Sequence, residues 1–314
     1  MTAQPAYTLW DPNLGNVPFG PAVLSVIGTG NRWYVNAATG NDSNPGTAQA
    51  PFATLTAAQA AAVANNNDVV YLIGTVHITA TLNWAKAGVH LVGLTAPSGA
   101  PRARISATGA TAFSPLVNVT GTGCNFINIG TFHGGFTGAT GSQVCWAEAG
   151  ERNYYSGCTF YGGGDATTAA LSGMRSLTIL GYENVFDNCV IGLDTIVRAT
   201  NANASLEFLA QSGRNTFHDC RFLALCSDVS DVHILAAAGS LDRWNLFDRC
   251  SFENAIDSGA SSLSAAVSCS ATGGYIHLQD CSSVGAAAMA TTGNVYITGN
   301  VPVATTSSIA ILAT

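Results

Sequence analysis

The sequence predicts an all-β chain folded as a single-stranded, right-handed parallel β-helix, a solenoid with about 31 residues in each coil. Three observations lead to this prediction. A short phrase returns at a fixed period, the residues between its copies favour strands and turns over helices, and the phrase itself contains a place for a bend. The phrase is centred on a cysteine, and its five copies follow one another at steps of 31, 31, 30 and 31 residues. These cysteines are Cys158, Cys189, Cys220, Cys250 and Cys281.

The contents of the repeat distinguish strands from helices. A period of this length would also suit ankyrin or leucine-rich repeats, but the long apolar-periodic stretches of paired helices are missing. Short runs of β-branched and aromatic residues alternate instead with Gly, Asn, Ser and Asp. Strand alternation places the cysteine and the residue two positions later on one face, whereas the apolar residue three positions earlier has the opposite parity. We therefore expect a bend before each cysteine, where most residues are of types that tolerate a left-handed backbone.

Stacked coils would align equivalent residues into ladders. We expect a cysteine ladder, a Phe/Ile ladder and a buried asparagine ladder in which the amides satisfy one another. A weaker copy of the phrase is expected at Cys124-Asn-Phe126. Cysteines that recur at one position are expected to be reduced core thiols, which suits a reducing cytosol. The asparagines lie five residues before the cysteine in four copies: Asn153, Asn184, Asn215 and Asn245.

The composition excludes several classes of function. Charged residues are 9% of the chain, apolar residues are 47%, the net charge is −7 and Lys86 is the only lysine. This composition excludes classical disorder, and the lack of a Lys/Arg cluster argues against nucleic-acid binding. No stretch has the pattern of a membrane span or a signal peptide, so no membrane partner is expected. The six histidines form no metal-binding spacing, and neither a metal nor a cofactor is expected.

The chain divides into three predicted regions: an anchoring arm at 1–31, an opening region at 32–75 and the β-helix at 76–314. The arm carries Asp11 as its only charge and is apolar without periodicity. Such an arm is expected to pack on its own β-helix or to dock on a partner subunit. The candidate docking residues are Trp10, Leu14 and Phe19.

The opening region carries a family resemblance. A strand is followed by a Gly40-Asn41-Asp42 loop, a Pro51-Phe-Ala-Thr-Leu55 turn and an Ala-rich helix that Thr54 or Thr56 can cap. This order resembles the opening of the pectate-lyase-like β-helix superfamily, whose openings are also common in bacteriophage tail spikes and other virion proteins. With the cysteine coils, the resemblance extends from residue 32 to the C-terminus. It implies that the helix closes the open end of the solenoid.

The resemblance also indicates where chemistry would lie. Lyases of this family use aspartates that bind calcium together with an Arg or Lys base, and hydrolases use two or three aspartates. The best catalytic candidates are Asp187, His218 and Asp248, which precede the cysteine by two residues in successive repeats. Stacked coils would separate the backbones of Asp187 and Asp248 by about 9.6 Å. The alternative is that turn positions favour Asp for backbone reasons.

A second acidic patch, Asp228, Asp231 and His233 with Asp242-Arg243, is expected to be a solvated loop with a local ion pair. It is not counted among the catalytic candidates.

The main functional expectation is a structural protein of a bacteriophage virion, such as a capsid decoration, a head fibre or a short tail spike. It would assemble as a homotrimer with other virion proteins in the host cytoplasm and would not be catalytic. The charge-free segment 281–314 suggests an end that other proteins cover. The alternative is a tail-spike β-helix that binds or degrades a polysaccharide, with a host surface glycan as partner. A secreted adhesin is a third reading.

Overall fold

The computed structural model describes residues 29–96, 99–198, 204–226, 229–255, 263–291 and 293–299. Within them the chain forms short strands and two short helices, none of them long or apolar enough to span a membrane. The first strands and the first helix are β1 (Arg32–Asn36), α1 (Leu55–Ala61), β2 (Asp68–Ile73), β3 (Thr75–His77), β4 (Leu82–Trp84), β5 (Val89–Gly93), β6 (Arg104–Gly109), β7 (Val117–Val119), β8 (Asn125–Ile127), β9 (Gly130–Phe136) and β10 (Val144–Glu148). The middle coils contain β11 (Tyr154–Ser156), β12 (Thr159–Tyr161), α2 (Ala166–Ala169), β13 (Arg175–Ile179), β14 (Val185–Asp187), β15 (Val190–Arg198), β16 (Ala204–Phe208), β17 (Thr216–His218) and β18 (Arg221–Cys226). The last are β19 (Val232–Ala236), β20 (Trp244–Asp248), β21 (Ser251–Asn254), β22 (Val267–Cys269), β23 (Tyr275–Gln279), β24 (Ser282–Val284) and β25 (Val295–Thr298).

The strands assemble into three parallel sheets, because each coil adds one strand to each sheet. Sheet A has the order β1-β2-β5-β8-β11-β14-β17-β20-β23-β25. Sheet B runs from β24 through β21, β18, β15, β12, β9 and β6 to β3, and sheet C runs from β22 through β19, β16, β13, β10 and β7 to β4. The predicted parallel β-solenoid is therefore confirmed. Its right-handedness, the closing of its end by α1 and the three region boundaries stay predictions.

The predicted bend lies one residue before each cysteine and joins sheet A to sheet B. Asn188, Asp219, Arg249 and Asp280 have φ values between 49° and 51°, and Gly157 has a φ of 60°. This left-handed residue reverses the parity of the strand, so the apolar residue before the bend and the cysteine after it both point into the solenoid. Strand β14 ends directly before this bend and β15 begins directly after the cysteine.

The cysteine ladder lies inside the solenoid, and all nine cysteines of the chain are free and buried. Each ladder thiol donates to two backbone carbonyls, as Cys220 does to Phe186 O at 3.4 Å and His218 O at 3.3 Å. Burial raises the pKa of the Cys158 and Cys220 thiols well above the ordinary value. A small apolar side chain with a weak donor therefore suits a position next to the carbonyls of the bend.

The predicted weaker copy at Cys124 is wrong in its register. Phe126 pairs with Tyr155, so Ile129 takes the place of the ladder cysteine in that coil and Cys124 takes the place of Asn153. The left-handed bend residue, here Asn128 with a φ of 54°, sets the register of each coil. The cysteine follows that register and does not define it.

The asparagine ladder is buried as predicted, but its hydrogen bonds differ from the expectation. The Oδ1 atom of Asn184 accepts from the backbone N–H of Asn153 at 2.9 Å, and its Nδ2 atom donates to Gly150 O at 3.2 Å. The same pattern continues at Asn215, and Cys124 N donates to Asn153 Oδ1 at 2.7 Å. The amides mainly satisfy the backbone of the neighbouring coil, because the turn leaves those N–H and C=O groups outside the strand ladders.

Two charged side chains hold the opening region in place: Lys86 fastens its helix to the solenoid, and Asp68 joins segments within the region. Thr54 caps α1 as predicted, and the helix buries Leu55 and Ala58. The Lys86 ammonium donates to three carbonyl groups at the C-terminal end of the helix, those of Gln59, Ala60 and Ala62, at 2.6 to 2.9 Å. The buried Asp68 carboxylate accepts from Asn31, Trp33, Val63 and Asn66. Burial raises the pKa of Asp68, but these hydrogen bonds bring it down to about 2.

Candidate functional site

The outer face of sheet A carries the predicted catalytic residues. Inside the sheet, Tyr155, Phe186, Phe217 and Phe247 form a stack of rings whose centroids are 4.5 or 4.6 Å apart. The next residue of each strand points outward because side chains alternate. This alternation brings Asp187, His218 and Asp248 into register on β14, β17 and β20, and we call these three residues the acid row.

Asp248 is the most constrained member of the acid row. Its residue is 6% exposed. The Oδ2 atom lies 3.1 Å from His218 Nδ1 and accepts a hydrogen bond from Arg249 at 2.6 Å. Arg249 also forms a forked ion pair with Asp219, with distances of 2.9 and 3.2 Å. The Oδ1 atom of Asp248 is buried and has no hydrogen-bond partner among the described residues. The cationic Arg249 keeps a buried carboxylate in place next to an imidazole ring.

The other two members are open to solvent. The His218 side chain is 38% exposed, and Asp248 fixes its ring through Nδ1. Asp187 is partly buried, and its Oδ2 atom accepts a hydrogen bond from the Tyr154 hydroxyl at 3.0 Å. A ring held through one nitrogen offers the other nitrogen for proton transfer. The acid row thus combines an oriented histidine with a carboxylate on the neighbouring coil.

The second acidic patch differs from its prediction. Asp231 and His233 are buried rather than solvated, and the Cys226 thiol donates to Asp231 Oδ2 at 3.0 Å. The reason is that the last residues of sheet B strands contact outward side chains near sheet C. Arg198, at the end of β15, donates to Ser205 Oγ at 3.0 Å, as Cys226 at the end of β18 donates to Asp231. Burial, together with the charge of Arg198, lowers the pKa of His233 to about 3. Asp228 and the docking candidates Trp10, Leu14 and Phe19 lie outside the described residues.

No metal centre forms in the described part of the chain, where no three His, Cys, Asp or Glu side chains converge on one point. The Asn41–Asn44 loop is held by its own bonds: Ser43 N donates to Asn41 Oδ1 at 2.9 Å, and Asp42 accepts from Ala53 N and Thr54 N.

An aromatic shelf on the outer face of sheet A was missed from the sequence. It consists of Trp244, Tyr275 and Tyr296, on β20, β23 and β25. Together with His277 and Thr298, the two tyrosines line an open surface groove of about 430 Å³. The sequence contained one signal, because Trp244 and Tyr275 both lie six residues before a ladder cysteine. It became visible as a surface only when the register placed them side by side.

The comparisons with known proteins concern the fold. No protein-family profile matches the chain. No curated protein matches it either. A rhamnogalacturonan lyase superposes with a TM-score of 0.54 and 15% identity, covering 81% of this chain and 68% of that chain. A pectate lyase superposes with a TM-score of 0.55 and 17% identity, covering 82% of this chain and 64% of that chain.

The likeness shows a shared fold. It supports the predicted relation to pectate-lyase-like β-helices at the level of architecture. This chain spans about two thirds of the length of both lyases, whose names denote enzymes and mention no virion.

Proposed function

We propose that the protein binds a polysaccharide on the outer face of sheet A and that the acid row hydrolyses the bound chain. The observation that carries the proposal is the alignment of Asp187, His218 and Asp248 across three consecutive strands of one outer face. The polysaccharide lyases of the same fold add support from architecture alone.

The roles of the three residues follow from their contacts. Asp248, paired with Arg249, positions the His218 ring. His218 and Asp187 then provide one proton-transfer group each on neighbouring coils. Glycoside hydrolysis requires two such groups, one to protonate the leaving oxygen and one to activate water. Asp248 acts through His218 and is a positioning residue.

The test is the release of reducing ends from capsular, pectic and neutral polysaccharides. Replacing a proton-transfer group is expected to reduce the rate about 100-fold or more, so Asp187→Asn and His218→Asn should both lose activity. Asp194→Asn removes an exposed carboxylate on sheet B, away from the acid row, and is the matched control. Equal rates for wild type and both acid-row variants would refute the catalytic assignment.

The placement in a bacteriophage virion is a second proposal, carried by the C-terminal end of the described chain. Val284 and Ile297 expose 50% and 38% of their surface there, within the segment that carries no charge. Exposed apolar groups at a solenoid end suit contact with another protein. A tail spike that binds a host glycan would combine the two proposals. The mass of the full-length protein in solution tests whether it assembles.

A further inference from the structure

The aromatic shelf concentrates the exposed rings of the described chain. Trp244, Tyr275 and Tyr296 expose 37%, 38% and 58% of their surface, and no other Trp, Tyr or Phe among the described residues is as exposed. All three lie on consecutive strands at one end of sheet A. The inner aromatic side chains of the same sheet are fully buried and account for its packing. Aromatic rings that face water on the outer side are therefore better explained by ligand binding.

The geometry of the shelf suits a ring-shaped ligand. Trp244 and Tyr275 are paired residues of adjacent strands, so their backbones lie about 4.8 Å apart. The Tyr275 and Tyr296 rings meet edge to face, with centroids 5.1 Å apart and an angle of 82°. The two tyrosines border an open surface groove of about 430 Å³. The apolar C–H face of a sugar ring can stack on these aromatic rings.

Hydrogen-bonding groups border the rings. His277 Nε2 and Thr298 Oγ1 lie 2.7 Å apart, and both residues line the groove. Gln279 precedes the cysteine by two residues, as Asp248 does, and pairs with Asp248 across the strands. The shelf and the acid row therefore share one face of sheet A. Trp244 and Asp248 lie at the two ends of β20, about 13 Å apart along the strand, so a glycan that crosses this face obliquely would contact both.

The charges around the shelf select against acidic sugars. The nearby cations are already paired: Arg243 with Asp242, and Arg249 with Asp219 and Asp248. A uronic acid would bring a carboxylate to a protein of net charge −7, beside arginines that already face carboxylates. Neutral sugars carry no such penalty.

We propose that the aromatic shelf binds a neutral glycan, with pyranose rings stacked on Trp244, Tyr275 and Tyr296. This inference rests on the proposed polysaccharide function and narrows its substrate class, although two solved structures of the same fold are named as a rhamnogalacturonan lyase and a pectate lyase. The acid row and the shelf are then parts of one extended binding face.

The experiment measures binding of the full-length protein to soluble xylan, galactomannan and β-glucan, with polygalacturonate as the acidic comparison. Tyr275→Ala and Tyr296→Ala are expected to weaken binding to the preferred neutral glycan about tenfold each. Tyr275→Phe keeps the ring and should bind as wild type does. Val284→Ala removes an exposed apolar group from sheet B of the same coil and is the matched control.

Tyrosine nitration of the full-length protein adds an independent readout. Tyr275 and Tyr296 should be nitrated without glycan and protected by the neutral glycan. Protection without any glycan would mean that residues 300–314 or a second copy occupy the shelf, and would overturn the inference. Stronger binding of polygalacturonate than of the neutral glycans would overturn only the assignment of a neutral glycan as ligand. Neutral-glycan binding that the tyrosine variants leave intact would refute the shelf, whereas no binding of any polysaccharide would refute the proposed function as well.

Discussion

Glu148 places an ionisable carboxyl group inside the solenoid, in register with Val119 and Ile179. Its residue is 0% exposed, and it accepts hydrogen bonds from Gly150 N at 2.7 Å, from Asn153 Nδ2 at 3.0 Å and from the Tyr155 hydroxyl. Burial raises the pKa of Glu148 to about 7, against the lowering effect of these hydrogen bonds. The carboxyl group thus contacts both the first asparagine of the ladder and a ring of the aromatic stack.

The raised pKa predicts how stability depends on pH. The unfolded chain releases the Glu148 proton near pH 4.5, whereas the folded chain holds it to about pH 7. The contribution of Glu148 to the free energy of unfolding is therefore fully present below pH 4.5. It is lost as the pH rises towards 7, and the total loss is on the order of 3 kcal/mol. Urea unfolding of Glu148→Gln at pH 5, 6, 7 and 8 should lack this slope.

Comparing the wild type with Glu148→Gln isolates the effect of Glu148 on the pH dependence of stability. Burial lowers the pKa of His90 and His233, which gives an opposite slope between pH 4 and 6.5, but it does so in both proteins. Glu151→Gln replaces an exposed glutamate three residues away and should keep the wild-type slope. Parallel curves for wild type and Glu148→Gln would contradict the prediction.

Among the structural elements, the asparagine turns hold successive coils in register, and Lys86 holds α1 against the solenoid. A turn residue that bonds the backbone of the neighbouring coil fixes the stacking of two coils at once.

Asn184→Ala should destabilise the solenoid by about 2 to 4 kcal/mol, because it leaves the Asn153 N–H and the Gly150 carbonyl buried without their partner. Chemical denaturation measures the change. Asn118→Ala is the control, since Asn118 donates to Asn83 on an exposed surface at 3.0 Å and should cost about 0.5 kcal/mol or less. Equal losses in the two variants would show that the buried ladder contributes no more than a surface pair.

Lys86→Met should lower the stability of the chain by about 1 to 3 kcal/mol, because three carbonyl groups at the end of α1 lose a charged donor. The methionine keeps the length of the side chain and removes only its charge and donors. Arg102→Met, at an exposed cation, is the control. Thermal unfolding followed by circular dichroism compares the variants. Equal unfolding midpoints for Lys86→Met and the wild type would contradict the role of Lys86 in holding the helix.

At the scale of the whole molecule, the sequence predicts a homotrimer with an anchoring arm at 1–31. Light scattering of the full-length chain should give three times the 32.1 kDa mass of one chain. A variant beginning at Asn31 separates the two expected roles of the arm. If it stays assembled, the arm is free to dock elsewhere; if it dissociates, the arm holds the subunits together. A monomer at high concentration would contradict the homotrimer.

The sequence by itself determined the solenoid, the period of its coils and the buried ladders. These features depend on local chemistry repeated at a fixed spacing, such as the left-handed residue before Cys189 or the amide of Asn184. Each repeat carries the same information, so one coil predicts the next. The acid row could be predicted for the same reason, since Asp187, His218 and Asp248 occupy one position of the repeat.

Only the tertiary structure decided which charged side chains face water and which surfaces are continuous. Asp231 and His233 have the composition of a solvated loop, yet they are buried on the outside of sheet C. The aromatic shelf joins Tyr275 to Tyr296, which lie in coils of unequal length. The physical reason is that the segments between sheets B and C vary in length and path from coil to coil. No period in the sequence records where such segments lie.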